Sequence, residues 1–237
     1  MLLEHHIKAW DSEYFGFKVG EAFLSMFDSN NYEHVMNQFQ ESGYRLVYIF
    51  PLDEKSFKTL QECNLTHIDT KITFGKDLNN NITGEENEFI SKYVADDRYE
   101  AIVSLALTSG IYSRFRKDKH FPEGTFESLY KTWITRSISH EIADEVLVYS
   151  PDNIIEGFVT YSQDKGLKEI GLIAVNSNSI NKGLGKSLLK AVENAAYNDG
   201  CDKVNVSTQS ENLGACRFYT ACGYQILHKQ PVFHLWI

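Results

Sequence analysis

A glycine turn between an apolar strand and an amphipathic helix constrains the fold of this chain more than any other feature. The turn spans 181–186 and has glycine at positions 183 and 185. The apolar run 170–175 precedes it, as expected of a buried strand. Apolar residues follow it at helical spacing, namely Leu184, Leu188, Leu189, Val192, Ala195 and Ala196. The order strand, turn, helix predicts a unit of an α/β protein.

The start of this helix is predicted to bind an anion. Glycine has no Cβ atom, so backbone N–H groups at the first helical turn can approach one anion closely. The helix dipole and the ammonium groups of Lys182 and Lys186 add attraction, and a diphosphate suits such a site best. The glycine pattern alone is equally typical of a tight turn with good packing, and that alternative stays open.

A second strand and helix follow. Residues 203–209 alternate between apolar and polar side chains, and Asn212 then begins a short helix that ends at Gly223. Asn212 and Tyr219 are seven residues apart, so they share a helix face about 10 Å from one another along the axis. A long, thin ligand can therefore contact both.

Together these segments resemble the acyl-CoA-binding core of the GNAT superfamily of N-acetyltransferases. The second helix reads Asn-x-x-Ala-x-x-Phe-Tyr-x-x-x-Gly-Tyr over 212–224, and the resemblance covers roughly 145–237. In that superfamily the glycine turn binds the pyrophosphate of coenzyme A, the preceding strand splays from its neighbour and holds the pantetheine, and the tyrosine protonates the leaving thiolate. The turn usually begins with Arg or Gln, where this chain has Ile180, so that side-chain contact with the phosphate is either absent or replaced, with Lys182 as the candidate.

The resemblance implies acetyl-CoA or another short acyl-CoA as co-substrate, without a metal, and Tyr219 as general acid. A phenol has a reference pKa of about 10, close enough to that of a thiol for such donation. Backbone N–H groups near Ala174 are expected to stabilise the oxyanion. The alternative for Tyr219 is a core tyrosine satisfied by a backbone carbonyl. The implied cofactor contacts are Leu172, Ile173, Ala174, Val175, Lys182, Gly183, Leu184, Gly185, Lys186, Gln209, Asn212 and Ala215.

An aromatic cluster lies near the N-terminus, at Trp10–Phe17. By composition it is a hydrophobic plug that packs a following strand, 17–23, against the next helix. However, Trp-Asp-Ser-x-x-Phe-Gly at 10–16 also resembles a motif of the TDP-fucosamine acetyltransferase branch of the superfamily, which acylates amino sugars carried on nucleotides. The resemblance implies substrate contacts from Trp10, Asp11, Tyr14 and Phe15.

A basic segment, 112–122, interrupts an otherwise acidic chain. Aromatic residues alternate with cations here, and Ser-Arg-Phe at 113–115 resembles the same branch. A nucleotide diphosphate needs bidentate donors for its oxygens and flat apolar faces for its base and sugar. The predicted substrate contacts are Ser113, Arg114, Phe115 and Arg116, and the candidates for a general base are His120 and Asp118. The alternative is a solvated loop with no binding role.

Helices and strands alternate elsewhere, which indicates a mixed α/β layer. The predicted helices are 32–40, 54–63 and 125–140, and the predicted strands are 45–50, 67–74, 145–149, 154–162, 224–227 and 232–237. The polar stretch Asp77–Glu88 predicts a linker, and hence domains at 1–84 and 85–237. The expected fold is a GNAT fold with a central mixed, twisted sheet, splayed parallel strands and flanking helices, preceded by a smaller, truncated α/β domain.

Charge and composition exclude several classes of partner. The net charge of −9 over 237 residues argues against a nucleic-acid or anionic-membrane binder, and leaves cationic small molecules open. Neither a signal-peptide pattern nor an apolar run of membrane-spanning length is found, so we expect a cytoplasmic protein without membrane insertion. The four cysteines lack the spacing of a zinc site or a disulfide framework. The apolar C-terminal strands suggest a homodimer interface.

The sequence therefore predicts an N-acyltransferase that moves a short acyl group from CoA to the amine of a nucleotide-linked amino-dideoxyhexose, in surface polysaccharide biosynthesis. One alternative is a GNAT enzyme that acts on a cationic small molecule or a peptide amine. Another is a module that binds acyl-CoA without turnover. Because one fold hosts many substrates, the fold alone does not decide among these three.

Overall fold

The computed structural model describes residues 2–78 and 87–237. The helices are α1 (Ala9–Phe15), α2 (Tyr32–Glu41), α3 (Glu54–Glu62), α4 (Tyr99–Ser109), α5 (Arg114–Lys117), α6 (Thr125–Ile138), α7 (Leu184–Asn198) and α8 (Leu213–Ala221). The strands are β1 (Leu2–Ile7), β2 (Val19–Ser25), β3 (Leu46–Pro51), β4 (His67–Asp77), β5 (Ile90–Lys92), β6 (Glu145–Tyr149), β7 (Gly157–Asp164), β8 (Leu167–Val175), β9 (Lys203–Gln209) and β10 (Gln225–Trp236). None of these helices is both long and apolar enough to cross a bilayer.

The chain divides into two compact units. The first comprises 1–72, 209–211 and 229–237, and the second comprises 73–208 and 212–228. β4 and β10 thus contribute residues to both units. The predicted domain boundary after residue 84 lies outside the described residues and stays a prediction, as does most of the predicted linker.

In the first unit the strands follow the order β1, β2, β3, β10. β2 and β3 are parallel, so the chain must cross over between them, and α2 provides the crossover. Phe233–Trp236 of β10 pair antiparallel with the facing residues of β3. Every residue of β3 is buried, as expected of a strand covered on both faces. The core consists of Ala22, Leu24, Phe27, Val35, Phe39, Tyr44, Val47, Ile49, Leu60 and Phe233.

In the second unit the strand order is β4, β9, β8, β7, β6, β5. β6, β7 and β8 are antiparallel neighbours, whereas β8 and β9 are parallel and are joined through α7. The core lies under α4 and α6 and consists of Tyr93, Ile102, Val103, Leu105, Ala106, Ile134, Val146, Val148, Ile155, Phe158 and Ala174. Mixed sheets flanked by helices confirm the predicted fold class.

Several predicted elements differ from the observed ones. The two predicted C-terminal strands are one strand, β10, which contains Pro231. Proline removes one ladder hydrogen bond but does not by itself end a strand. The first six residues of the cluster at Trp10–Phe17 lie on α1, and the basic segment 112–122, for which a solvated loop was the alternative, contains α5. In contrast, the bounds of β6 and β9 agree with the prediction residue for residue.

Candidate active site

The glycine turn has the backbone conformation of an anion site. Asn181 and Gly183 both have left-handed φ angles, 65° and 86°. Gly183 is the N-cap of α7, and no side chain of the described residues caps that helix. The first N–H groups of a helix lack intrahelical acceptors, so those of α7 are available to a ligand. Lys182 and Lys186 are both exposed beside them.

The two glycines of the turn serve different purposes. A Cβ atom at Gly183 would meet nothing within 4 Å, so glycine is needed there for its positive φ. A Cβ atom at Gly185 would lie 3.0 Å from the ring of Phe218 on α8. Gly185 therefore lets α7 and α8 approach closely, which is the packing purpose that the sequence left open. The close approach also brings the turn next to the helix that carries Tyr219.

β8 and β9 separate beside the turn. Their parallel pairing runs from Leu167 opposite Lys203 to Ile170 opposite Val206, and the described residues form no pairs between these strands beyond that point. β8 nevertheless continues to Val175, where it pairs with β7 on its other side. Main-chain groups of 171–175 that face away from β7 thus have no strand partner, which is the splay that the resemblance implied.

Thr160 contacts the same stretch of β8, and no sequence pattern predicted this role. The pairing of β7 with β8 is irregular between Val159 and Tyr161. There the hydroxyl of Thr160 accepts a hydrogen bond from the N–H of Leu172 at 2.9 Å. Because the side chain satisfies this N–H, the irregularity in the ladder is stabilised where the strands diverge.

Tyr219 is a buried tyrosine on α8. Only 4% of its surface is exposed, and its ring packs against Phe74 at 5.4 Å. Within the described part of the chain its hydroxyl has no hydrogen-bond partner, so the backbone carbonyl expected for a purely structural tyrosine is not found. Burial, followed by the neighbouring thiols of Cys216 and Cys222, raises the pKa of the phenol. The group is therefore protonated at neutral pH and able to donate.

Asn212, which was predicted to contact the cofactor, is the N-cap of α8. Its side-chain oxygen accepts from the N–H of Ala215 at 3.1 Å. This bond fixes the start of the helix that carries Tyr219. Contact of Asn212, Ala215 and Gln209 with a cofactor stays a prediction, and Gln209 belongs to the first unit.

Asp118 and His120 form a hydrogen-bonded pair immediately after α5. The carboxylate of Asp118 is buried and accepts both the N–H and the Nδ1 of His120, at 3.0 and 2.8 Å. An ionised carboxylate is only an acceptor, so Nδ1 carries the proton and the lone pair of the neutral imidazole lies on Nε2. The His120 side chain is 71% exposed. This arrangement is able to accept a proton from a substrate amine.

The predicted substrate contacts of the basic segment lie on α5 and before it. Ser113 caps the helix by accepting from the N–H of Phe115. The Phe115 ring is buried and packs against Phe121 and Trp133, so its role in the fold is structural. The guanidinium of Arg114 lies over the Phe115 ring, and that of Arg116, an exposed residue, lies over Phe126. The rings thereby restrict where both cations point.

The predicted contacts near the N-terminus belong to the first unit. Trp10 and Tyr14 stack on one face of α1 with ring centroids 5.1 Å apart, and both are half-exposed, as is Phe15. Asp11 is buried and accepts the hydroxyl of Tyr48 at 2.8 Å. Ser12 bonds to the backbone of Lys8 and Val19. The polar residues of the motif thus hold α1 in place, and its aromatic residues are half-exposed.

A buried ion pair in the second unit was not predicted. Glu193 of α7 is 4% exposed and bonds to Nζ of Lys76 at 2.8 Å. The same ammonium donates to the carbonyl of Cys222 and lies over the ring of Tyr224. Burial and Glu193 raise the pKa of Tyr224. Glu193 lies on the apolar face of α7 beside Val192. A carboxylate on such a face indicates a buried ion pair, and this feature of the sequence could have predicted it.

Comparison with known proteins agrees with this geometry. Residues 109–224 match the model of the acetyltransferase (GNAT) family. The uncharacterized protein YdhI of Bacillus subtilis (strain 168) is 37% identical over 77 residues, which make up 32% of this chain and 47% of YdhI. The chain thus spans about half the length of the curated relatives it matches.

Solved structures show the same fold. A GCN5-related N-acetyltransferase from Sphaerobacter thermophilus superposes with a TM-score of 0.64 at 16% identity, over 92% of this chain and 73% of that one. A tandem GNAT protein from the clavulanic acid biosynthesis pathway gives a TM-score of 0.55 at 8% identity, over 92% and 75%.

The mixed sheets, the diverging strands β8 and β9 and the glycine turn before α7 define a GNAT fold. Residues 109–224 carry the sequence pattern of the GNAT acetyltransferase family within that fold.

Proposed function

We propose that the protein is an N-acyltransferase that uses acetyl-CoA or another short acyl-CoA. The observation that carries the proposal is the combination of splayed strands, an uncapped helix N-terminus and a buried tyrosine in one unit. When bound, the thioester supplies an activated acyl group. The N–H groups that follow Gly183 bind the pyrophosphate, and the main chain of 171–175 binds the pantetheine amides as a strand would.

Tyr219 supplies the proton that the departing thiolate needs. Its raised pKa keeps the phenol protonated throughout the neutral range, because burial disfavours the charged phenolate. The pKa of the phenol also exceeds that of a thiol, so proton transfer from Tyr219 to the thiolate is unfavourable when considered alone. The overall reaction is favourable because an amide is more stable than a thioester, and the proton is transferred as the carbon–sulfur bond breaks.

The proposed acceptor is a nucleotide-linked amino-dideoxyhexose of surface polysaccharide biosynthesis. Arg114 and Arg116 lie on one short helix, and guanidinium groups suit diphosphate oxygens. The pair Asp118 and His120 follows directly and provides a base for the sugar amine. A cytoplasmic location and a homodimer belong to the same proposal. The alternative acceptor, a cationic small molecule or peptide amine, is favoured by the net charge of −9.

The test is thiol release from acetyl-CoA and from 3-hydroxybutyryl-CoA in the presence of a panel of acceptors. The panel contains dTDP-, UDP- and GDP-linked amino-dideoxyhexoses, the same sugars without nucleotide, and polyamines. Turnover with one nucleotide sugar, but not with its free sugar, supports the proposal and identifies donor and acceptor together. Turnover on polyamines alone contradicts the proposed nucleotide-sugar acceptor but supports acyltransferase activity. Absence of thiol release with every acceptor contradicts both proposals.

A further inference from the structure

A cleft opens in the second unit, away from the glycine turn. Its volume is about 480 Å³, and its walls are Lys92, Asp144, Glu145, Tyr161, Gln163, Lys168 and Asp199. Asp199 follows the last residue of α7, whereas the turn precedes the first. The helix has 15 residues and is therefore about 22 Å long, which separates the cleft from the candidate active site.

A buried lysine organises the cleft. Lys168 is 2% exposed, and its Nζ donates to Gln163 Oε1 at 2.9 Å and pairs with Asp199 Oδ2 at 2.7 Å. The same ammonium lies 4.7 Å from the centroid of the Tyr161 ring. A buried ammonium is tolerated only when it is paired, so these contacts hold three walls in fixed positions.

Tyr161 lines this cleft with a hydroxyl group that can donate a hydrogen bond. The residue is 7% exposed, and its hydroxyl has no hydrogen-bond partner among residues 2–78 and 87–237, so the donor is open to a ligand in the cleft. Burial, followed by the charges of Glu145, Asp199 and Asp144, raises the pKa of the phenol to about 12. The hydroxyl therefore keeps its proton at neutral pH and lies among three carboxylates.

The charges that line the cleft do not balance. Lys92 pairs with Glu145, and Lys168 pairs with Asp199. Asp144 accepts the backbone N–H of Gln163 at 2.6 Å, and no cation of the described residues pairs with it. Three carboxylates against two ammonium groups leave one negative charge, which is located on Asp144. Asp144 is exposed to solvent, and it is the carboxylate of the cleft that no cation of the described residues pairs with.

We propose that this cleft binds a small organic molecule that carries a primary ammonium group and a hydroxyl or carbonyl oxygen. The ammonium pairs with Asp144, and the oxygen accepts the hydrogen bond of the Tyr161 hydroxyl. The site is independent of acyl transfer, so it is tested without acyl-CoA.

The probe is 4-aminobutan-1-ol, titrated into protein whose tyrosines carry ¹³C at the ζ position. We expect a saturable shift of the Tyr161 resonance, assigned by its loss in Tyr161→Phe. Butane-1,4-diol, which lacks the charge, and butylamine, which lacks the oxygen, should each bind about tenfold more weakly, as expected for one lost hydrogen bond to a charged or buried group. Equal affinity for the diol, or no saturable shift with the amino alcohol, overturns the proposal.

Two variants locate the binding, measured by isothermal titration calorimetry with the same amino alcohol. Asp144→Asn keeps an oxygen for the N–H of Gln163 but removes the charge, and Tyr161→Phe removes only the hydroxyl group. Each should weaken binding about tenfold. The control is Tyr149→Phe, on the neighbouring strand β6 and not part of the cleft wall, which should bind as the unaltered protein does. Equal affinity in all three variants contradicts the proposal, and melting temperatures verify that each variant is folded.

Discussion

The two halves of the candidate site are built from different parts of the chain. The proposed acyl-CoA half is made largely of main-chain groups, at the start of α7 and along the unpaired part of β8. The proposed acceptor half in the second unit is made of side chains on and after α5, namely Arg114, Arg116, Asp118 and His120. A backbone site depends on fold and glycine placement, whereas a side-chain site depends on individual residues. Substitutions should therefore separate the two halves.

The largest expected effect is that of Tyr219→Phe. Removal of a general acid typically costs about 10²- to 10⁴-fold in rate, and the phenyl ring keeps the packing against Phe74. We expect kcat to fall by at least about 100-fold while the affinity for CoA stays unchanged. Steady-state kinetics and calorimetry with CoA measure both quantities. Unaltered kcat would show that Tyr219 is only a core residue.

A smaller effect is expected of Arg116→Ala, which tests the side-chain half alone. Loss of one charge-assisted hydrogen bond to a diphosphate weakens binding by about 1.5 to 3 kcal/mol, or roughly 10- to 100-fold. The fall should appear in kcat/KM for the nucleotide sugar and leave the affinity for CoA unchanged. Lys165→Ala, which removes the same charge from an exposed hairpin turn, is the control. If Arg116→Ala, but not the control, binds CoA more weakly, Arg116 contributes to the acyl-CoA half as well, and the proposed separation of the two halves is wrong.

Gly185→Val tests the backbone half. The added Cβ atom lies 3.0 Å from the Phe218 ring, so the ring or α8 must shift to make room for valine, at about 1 to 3 kcal/mol in the free energy of unfolding. We expect CoA to bind about tenfold more weakly, and denaturant unfolding to show the loss of stability. At Gly214, the nearest atom to an added Cβ is 3.8 Å away, so Gly214→Ala should leave the affinity for CoA unchanged and should not lower the free energy of unfolding.

The sequence predicted some features of the two halves and missed others, depending on whether the signal was local in the chain. The turn, β9 and the start of α8 were predicted because glycine placement and hydrophobic periodicity are local signals. Two contacts were not predicted. One is the close approach of Gly185 to the Phe218 ring, and the other is the hydrogen bond from the N–H of Leu172 to the Thr160 hydroxyl. They join residues far apart in sequence, and periodicity carries no information about such pairs. The pair Asp118 and His120 was identified as two candidates, and the structure adds the hydrogen bond that joins them.

The smallest expected effect is the pH dependence that a buried tyrosine gives to stability. The pKa of Tyr161 is raised to about 12, so above pH 10 the unfolded chain loses a proton that the folded protein keeps. The contribution to stability is complete below pH 10 and is lost as the pH rises toward 12. Between pH 10 and 11 the unaltered protein should lose about 1 kcal/mol more than Tyr161→Phe does. Parallel curves from denaturant unfolding would contradict the assigned pKa.

The most direct test of the central claim is a titration of CoA followed by backbone amide NMR. A backbone-built site predicts saturable shifts at the amides of Leu184, Gly185 and Lys186 and at those of 171–175. Lys182→Ala should retain them at reduced affinity, because the N–H groups carry the binding. Absence of saturable binding, or shifts that leave the turn and β8 unaffected, would contradict the proposed acyl-CoA site.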